Sequence, residues 1–435
     1  MDTGEDLHRW ARDLFPLPRS LTGSGVRNTL SYLEALLPAL QRHTVRSGSR
    51  ALDWVVPDEW NISDAHISDL NGRRHVDFRI NNLHVMGYSE PVDCVLSRAE
   101  LEPHLFSLPE QPQAIPYVTS YYSRSWGFCL TDHQRQSLGE GPFHVVIDST
   151  LEPGFLDYAD LVIPGDTDDE ILLSTYICHP SMANNELSGP VVAAAIGRWL
   201  SELPRRHYTY RLLFAPETIG SLIYMSQHLP HLQTHVKAGW VLTCIGDNRG
   251  YSYLPSRLGG TLADRVALDV LNRIPSGFSH YSYLQRGSDE RQWCSPGANL
   301  PVCSVMRTKH GEYPEYHTSL DDLDLVTAEG LQGGLALVKR CIETVENNTT
   351  WRSRTPGEPQ LGRRGLYPTT SINGSASSTR AMMNVLAYCD GDHDLLDIAK
   401  LTNLPFPEVV VLISQLAKAD VISNRTDSYD ESPTA

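Results

Sequence analysis

Apolar residues recur at helical spacing near the start of the chain and form alternating strand-like and helix-like runs further along. Residues 4–15 and 22–40 each place their apolar positions on one side of a helix. Between about 141 and 345, short apolar runs alternate with longer helical runs, which is typical of an α/β layered domain with a mostly parallel sheet. The predicted strands there are 143–148, 171–176, 210–214 and 240–245, and the predicted helices are 187–202, 219–229, 260–273 and 326–346.

Other parts of the chain depart from this alternation. Residues 44–140 hold short alternating stretches among Asn, Gly and Pro turns, and we predict a small β-rich inserted domain there. Residues 352–379 are rich in Ser, Thr, Gly, Pro and Arg, which is typical of a linker. In the tail we predict helices at 380–388, 395–402 and 407–419, a helix-turn-helix connection at 402–407 and a small wing from 421. The expected units are therefore an α/β domain of residues 1–43 and 141–351, the insertion, the linker and a winged-helix-like domain at 380–435.

Composition and charge narrow the classes of function. The chain has 36 Lys and Arg against 52 Asp and Glu, so the net charge is 36 − 52 = −16 and a nucleic-acid backbone is repelled overall. The last predicted helix carries Lys418 as its one basic residue, with Glu408 near its start, so we expect a docking module rather than a DNA reader. Nothing in the sequence resembles a signal peptide or a membrane span, and the eight cysteines form no CxxC pair. These features predict a cytoplasmic protein with reduced thiols.

Polar clusters interrupt the α/β region at places where predicted strands end. Because the carboxyl ends of parallel strands meet at one edge of a sheet, we expect these clusters to converge there. A zinc site needs about three ligands from His and carboxylates, and a further carboxylate can then take a proton from the zinc-bound water. The chemistry-bearing residues of the four clusters are His179, Asn185 and Glu186; Glu217; Asp289, Arg291 and Gln292; and Tyr316 and His317.

Each of these residues also has an ordinary structural explanation. His179 can be a hydrogen-bonded loop residue, and Glu217 can be a first-turn carboxylate that favours the helix dipole. Asp289 and Arg291 can form a simple ion pair. Candidate substrate contacts are Arg291, Gln292, Arg257, Tyr316, Tyr122 and Arg124. Packing between the insertion and the main domain is the alternative for the side chains of this last group.

The four clusters, together with segments 14–23 and 119–128, resemble the zinc aminopeptidase superfamily, which also includes glutamate carboxypeptidase and glutaminyl cyclase. More closely, the chain resembles a bacterial group of aminopeptidase-like proteins with a small β-rich insertion and a C-terminal winged helix, often described as polysaccharide or secondary-metabolite biosynthesis proteins. The resemblance implies a three-layer sandwich with a mostly parallel sheet. It also implies that His179 and His317 bind the metal, that Glu217 is the general base and that Asp289 lines the pocket.

The chain departs from the two-zinc pattern at the positions of three carboxylates. Asn185 stands where the resemblance implies a bridging aspartate, Thr218 replaces the second of two glutamates, and Thr243 or Cys244 replaces a further aspartate. With three carboxylates missing, too little negative charge remains in the site to balance two dications. We therefore predict one zinc ion rather than two. Asn185 and Glu186 are counted with the metal residues. The third ligand is left open among Glu186, Glu217 and Asp289, and if Glu217 is a ligand the base is Glu186 or Asp289.

The leading hypothesis is a zinc-dependent hydrolase that cuts an amide bond in a small peptide or an aminoacylated biosynthetic intermediate. A scaffold or binding protein on the same fold, an acyl transferase and a regulator acting through the tail are the alternatives. The expected partner is a small-molecule substrate, with no membrane and no nucleic acid, and a homo-oligomer stays an open option.

Overall fold

The computed structural model of the protein describes residues 2–366 and 375–424. Its strands are, in chain order, β1 (Gln41–Arg46), β2 (Arg50–Ala51), β3 (Trp54–Val55), β4 (Glu59–Asp69), β5 (Arg74–Asp77), β6 (Val92–Leu96), β7 (Leu105–Phe106), β8 (Phe128–Cys129), β9 (Phe143–Glu152), β10 (Phe155–Ile163), β11 (Glu170–Tyr176), β12 (Thr209–Ala215), β13 (Val236–Val241), β14 (Ser252–Leu254), β15 (Ser279–His280), β16 (Val302–Met306), β17 (Thr350–Ser353), β18 (Asp390–Asp394) and β19 (Ile422–Asn424). Its α-helices are α1 (Gly4–Leu14), α2 (Ser24–Leu36), α3 (Arg98–Leu101), α4 (Asp132–Ser137), α5 (Ser188–Glu202), α6 (Ile219–His235), α7 (Leu262–Asn272), α8 (Glu290–Trp293), α9 (Ala328–Asn347), α10 (Ser375–Ala387), α11 (Leu395–Thr402) and α12 (Phe406–Lys418).

The largest sheet has eight strands in the order β1-β10-β12-β11-β13-β16-β14-β15. Its four central strands, β12, β11, β13 and β16, run parallel, and antiparallel neighbours flank them at β10 and β14. Every residue of β11 is buried, which explains why this strand has a continuous apolar run rather than an alternating one. The expected α/β fold with a mostly parallel sheet is confirmed.

Helices α5 and α6 follow β11 and β12 and start at the carboxyl edge of this sheet. Gly189 lets the first turn of α5 approach the neighbouring strand ends, because a Cβ there would lie 2.1 Å from the Leu242 carbonyl oxygen and 2.4 Å from Thr175 Oγ1. The strand predicted at 240–245 ends earlier, at Val241, and Cys244 has a left-handed φ of 47° that is incompatible with a strand. The carboxyl edge is thus built from closely spaced turns.

The inserted region forms a second sheet in the order β5-β4-β9-β6, together with the pairs β2–β3 and β7–β8. The strand predicted at 143–148 is present as β9. It pairs antiparallel with β4 and β6 rather than joining the parallel strands. Tyr88 and Phe128 are among the residues buried beneath this sheet. This region and the large sheet belong to one compact unit, residues 1–264 and 276–339.

The second compact unit comprises residues 265–275 and 340–435. Within its described part, β18, β17 and β19 form a sheet, and α11 and α12 are joined by a turn in which Asn403 has a left-handed φ of 54°. Buried Ile398 and Val409 pack between these helices. The predicted helices at 395–402 and 407–419 are confirmed within a residue or so. Of the predicted linker 352–379, residues 367–374 lie outside the described residues.

Candidate functional site

The loop after β11 enters α5 through a π-helical turn, Ala183–Leu187, and a distant carboxylate holds this turn in place. The carboxylate of Asp321 accepts hydrogen bonds from the backbone N–H groups of Asn184 at 2.5 Å and Asn185 at 3.0 Å. These N–H groups lie at the start of a helical segment and lack intrahelical acceptors. Burial raises the pKa of Asp321 to about 6, and the N–H donors act in the opposite direction. Asp321 therefore fixes the loop that presents His179.

The imidazole of His179 is buried between two carboxylates. Its Nδ1 atom lies 2.8 Å from Glu186 Oε2, and its Nε2 atom lies 3.7 Å from Glu217 Oε2. Burial lowers the pKa of His179 to about 3, and the Arg19 cation acts in the same direction. A neutral imidazole that donates from Nδ1 to a carboxylate has its Nε2 lone pair free, which is the arrangement found in histidine ligands of metals.

Arg19 and Glu186 form a fully buried ion pair behind His179, with 3.7 Å between Nε and Oε1. The guanidinium also donates from Nε to the His179 carbonyl oxygen at 3.0 Å and from Nη1 to the Leu14 carbonyl oxygen at 2.5 Å. Burial raises the pKa of Glu186 to about 8, whereas Arg19 lowers it. Burial lowers the pKa of Arg19 to about 10, so Arg19 stays protonated and its charge favours the ionised form of Glu186.

One group of three possible metal donors, Cys178, His179 and Glu186, has its ligand atoms within 4.8 Å of one another among the described residues. The contact between His179 Nδ1 and Glu186 Oε2 has the length of a hydrogen bond and leaves no room for an ion between the two atoms. The buried Arg19 cation beside Glu186 also opposes a second cation there. We therefore assign this group to the support of His179, and place the candidate metal position on the Nε2 side.

His317 lies beside His179 although 138 positions separate them in the chain. The two ring centroids are 5.6 Å apart with an angle of 40° between the planes. Two imidazoles that each bind one zinc at about 2.0–2.1 Å have centroids roughly 5–6 Å apart, so this pair fits a shared ion. Burial lowers the pKa of His317 to about 3, and the charge of the nearby His179 is the second cause of this shift. Both rings are thus neutral at physiological pH.

Asn185 offers a further donor atom. Its Oδ1 atom is buried and has no hydrogen-bond partner among the described residues, whereas its Nδ2 atom donates to the Tyr176 hydroxyl at 2.8 Å. That hydroxyl lies 2.5 Å from Thr243 Oγ1, which donates to the Asn185 carbonyl oxygen at 2.9 Å. A buried acceptor without a partner is costly unless a ligand uses it. These contacts fix the side chain of Asn185 and leave Oδ1 available as a neutral oxygen ligand.

Glu217 lies at the end of β12, next to two further acidic residues. Burial, followed by the charge of Asp289, raises the pKa of Glu217 well above its usual range, and Arg291 opposes the shift. Asp289 accepts from the Thr218 N–H at 2.7 Å and from the Ser221 hydroxyl at 3.1 Å, so it caps the start of α6. Burial raises the pKa of Asp289 to about 6. Glu217 is therefore the carboxyl group that lies on the Nε2 side of His179, and Asp289 supports the segment that carries it.

The predicted substrate contacts are distributed unevenly. Tyr316 stacks on His317 with 3.9 Å between ring centroids. Arg291 is exposed and donates from Nη2 to Thr218 Oγ1 at 2.6 Å. Gln292, on the same short helix, is half-buried.

The other three predicted contacts are held by partners of their own. Arg257 donates to Asn299 Oδ1 at 2.5 Å. Arg124 lies 3.2 Å from Glu90 and 3.5 Å from Asp58. Tyr122 is 52% exposed and meets Trp54 edge-on at 5.9 Å. No contact of these three side chains with the imidazole pair is found among the described residues, and their role in substrate binding stays a prediction.

Three residues of the site were not recognised as such in the sequence. Arg19 belongs to a Pro-Arg-Ser-Leu-Thr-Gly segment, and a charged residue in an otherwise apolar entry motif was the available signal. Asp321 precedes a predicted helix, so its position in the sequence suggests a helix cap and not a partner of the distant loop at Asn184 and Asn185. Tyr117, from the inserted region, has its ring centroid 5.2 Å from that of His179 and 5.2 Å from that of His317. No signal in the local sequence around Tyr117 pointed to this position.

The fold is that of an aminopeptidase-like protein, and the tail adds a winged helix. The chain belongs to the family described as a domain of unknown function (DUF4910), which matches residues 8–348, and residues 349–424 match a winged helix-turn-helix family. Among the described residues, no helix is long and apolar enough to cross a bilayer.

Relatives with names or known structures support the same placement. The chain is 41% identical over 425 residues to a polysaccharide biosynthesis protein with aminopeptidase-like domain from Clostridium acetobutylicum, covering 97% of this chain and 96% of that one. A crystal structure described as a peptidase from C. acetobutylicum is similar with a TM-score of 0.91 and 39% identity, covering 97% and 96% of the two chains. A zinc aminopeptidase from Bacillus subtilis is similar with a TM-score of 0.56 and 12% identity over 79% of this chain and 95% of that one, which supports the fold alone.

Proposed function

We propose that the protein is an amide hydrolase that uses one zinc ion. The observation that carries this proposal is the neutral imidazole pair, His179 and His317, at 5.6 Å with Glu217 beside it. His179 through Nε2, His317 and Asn185 through Oδ1 are the residues that would hold the ion. When bound, zinc would supply a water of lowered pKa and would polarise the scissile carbonyl group. Glu186 would orient His179 instead of ligating the metal.

Glu217 is the proposed general base. Its carboxyl group faces His179 Nε2 at 3.7 Å, so it lies next to the proposed metal position. Burial and Asp289 raise its pKa, and a base works best when its pKa lies close to the working pH. Glu217 would take a proton from the attacking water and deliver it to the leaving amine. Asp289 would hold the segment that carries Glu217 by capping α6.

The proposed substrate is a small peptide or an aminoacylated biosynthetic intermediate. Asp289 and Glu290 are close enough to Glu217 for their charges to raise its pKa. Such a cluster of three acidic residues suits an ammonium group. The name of the C. acetobutylicum relative supports a role in biosynthesis. None of the eight cysteines, all of which lie in the described ranges, forms a disulfide, which supports the cytoplasm as the proposed location.

A scaffold role on the same fold is the second candidate. Thr218 and Thr243 occupy positions where the superfamily resemblance implies carboxylate ligands, and both hydroxyls are hydrogen-bonded within the protein, to Arg291 and Tyr176 respectively. This loss of ligands favours one ion over two and is the specific observation behind the scaffold. Acyl transfer on the same site is a variant of the enzyme proposal, distinguished by its product.

Metal analysis of protein expressed with zinc in the medium separates these candidates. The hydrolase proposal expects about one zinc per chain by mass spectrometry of the metal, whereas the scaffold expects less than about 0.2. A panel of amino-acid amides then tests turnover, and a hydroxylamine trap in the same reaction distinguishes acyl transfer from hydrolysis. A zinc content near zero together with no turnover would replace the hydrolase by the scaffold.

A further inference from the structure

The inserted region reaches the imidazole pair through one segment, residues 111–121, here called the strap. Its backbone pairs with the loop that carries His317: the Tyr117 N–H donates to the His317 carbonyl oxygen at 2.9 Å, and the Ser319 N–H donates to the Ile115 carbonyl oxygen at 2.9 Å. His317 has a left-handed φ of 56°, a conformation that a non-glycine residue keeps only when its neighbours hold it. The strap is therefore one of the supports of His317.

Backbone hydrogen bonds also join the strap to the rest of the inserted region. The Gly87 N–H donates to the Val118 carbonyl oxygen at 2.9 Å, and the Ser120 N–H donates to the Gly87 carbonyl oxygen at 3.0 Å. The ring of Tyr121 meets the buried ring of Tyr88 edge-on at 5.5 Å. Because backbone hydrogen bonds fix the strap on both sides, the tyrosines that it carries are pre-organised.

Two of these tyrosines form a hydrogen-bonded phenol pair beside the imidazoles. The hydroxyl oxygens of Tyr117 and Tyr121 are 2.5 Å apart, and both side chains are partly exposed. Two phenols carry two protons and a single hydrogen bond between them uses one, so one O–H is left for another acceptor. Tyr121 is close enough to Glu217 for that carboxylate to contribute to its raised pKa, after burial and Cys178. The ring of Tyr117 lies 5.2 Å from the centroid of each imidazole, so the pair borders the candidate site.

We propose that Tyr117 and Tyr121 are specificity-determining residues that select amides bearing a hydroxylated ring next to the scissile bond. This inference rests on the proposed function. A phenol face packs well on a flat or C–H-rich ring, and a site with a donor built for a hydroxyl group discriminates strongly against the analogue that lacks it. Two sources share this chemistry: the phenol of a tyrosyl group and the hydroxyls of a hexosamine.

Two matched substrate pairs distinguish these sources. The first pair is L-tyrosinamide against L-phenylalaninamide, and the second is N-(L-alanyl)glucosamine against N-(L-alanyl)cyclohexylamine. Wild-type zinc-loaded protein is expected to prefer the hydroxylated member of at least one pair by about tenfold in kcat/KM. The double variant Tyr117→Phe/Tyr121→Phe keeps both rings and is expected to lose this preference, because kcat/KM for the hydroxylated amide falls by about tenfold relative to that for the bare ring.

The single variants test the coupling between the two phenols. Each of Tyr117→Phe and Tyr121→Phe breaks the pair, so each alone is expected to lose most of what the double variant loses, which is a non-additive result. Tyr32→Phe removes a phenol that donates to Asp13 at 2.6 Å and is the matched control, with kcat/KM unchanged. Additive single effects would overturn the paired role.

Binding to Glu217→Gln protein, measured by calorimetry with the same four amides, separates this inference from the proposed function. Preferential binding of a hydroxylated ring that disappears in the triple variant Glu217→Gln/Tyr117→Phe/Tyr121→Phe supports the phenol pair even when wild-type protein hydrolyses nothing. Equal binding of both members of each pair, a preference that survives in the triple variant, or no binding of any of the four amides would overturn it.

Discussion

His179 Nδ1 lies 2.8 Å from Glu186 Oε2, and this single contact decides which imidazole nitrogen faces the candidate site. The contact occupies Nδ1, so Nε2 is the atom left on the side of Glu217 and His317. It also supports our proposal that Glu186, which the sequence counted among the metal residues, orients His179. A carboxylate that binds the far nitrogen of a histidine ligand orients the ring and increases its basicity.

The first prediction follows from this contact. Glu186→Gln keeps the size of the side chain but loses its charge, so zinc affinity should fall by roughly 10–100-fold while about one zinc still binds at saturation. Competition with a chromophoric chelator measures this affinity, and cobalt substitution reports the coordination number through its visible absorption. A weakening beyond about a thousandfold with a change in the cobalt spectrum would instead make Glu186 a ligand.

The second prediction concerns the imidazoles themselves. His179→Ala and His317→Ala should each reduce bound zinc to below about 0.2 per chain, because a site with three protein ligands loses most of its affinity with any one of them. Metal content after gel filtration measures this. His310→Ala, at another buried histidine close to Tyr316, is the comparison variant and should keep its zinc. Full zinc content in either His179 or His317 variant would refute a shared ion.

The third prediction concerns the base. Glu217→Gln should retain zinc and the wild-type melting temperature, because the amide fills the same volume, and should lower kcat by at least about a hundredfold. Asp289→Asn should have a mixed effect, with a lower melting temperature as well, since Asp289 accepts hydrogen bonds from Thr218 and Ser221. Retained full turnover in Glu217→Gln would move the base to Asp289.

The fourth prediction is a pH dependence of stability in the zinc-free protein. The pKa of His317 is lowered to about 3 in the folded protein from about 6.5 in the unfolded chain, so between these values the unfolded state binds more protons. Stability is therefore present above pH 6.5 and is lost as the pH falls towards 3. Urea titrations at pH 7 and pH 4.5 should show a loss of stability that is about 2 kcal/mol larger in wild type than in His317→Gln, because His179 contributes a similar loss to both proteins. An identical pH slope in the two proteins would contradict it.

The sequence predicted the α/β layering and the convergence of three distant residues, His179, Glu217 and His317, at one edge of the sheet. That success has a physical basis: strand ends in a parallel sheet converge, and polar residues that directly follow apolar runs mark those ends. The same logic failed for β9, because an alternating run does not reveal which sheet it will join.

Local sequence patterns did not predict the residues that support the site, for a different reason. Arg19 reaches His179 across 160 positions, and Tyr117 meets His317 through an irregular strap with no helical or strand period. Periodicity reports which face of an element is buried, and it carries no information on which distant partner a buried charge selects. Only the folded structure shows that Glu186 has Arg19 on one side and His179 on the other.

The last prediction tests this buried ion pair. Arg19→Met removes a guanidinium that is bonded to the carbonyl oxygens of Leu14 and His179 and leaves the Glu186 carboxylate buried alone. Removing one partner of a buried pair typically costs about 3–5 kcal/mol, so the melting temperature should fall by several degrees and zinc affinity should fall with it. Arg19→Lys keeps the charge without the planar set of donors and should show an intermediate loss. Scanning calorimetry of the zinc-free proteins separates folding from metal binding. Equal stability of wild type and Arg19→Met would mean that Glu186 is already protonated in the folded protein and that the pair contributes no charge interaction.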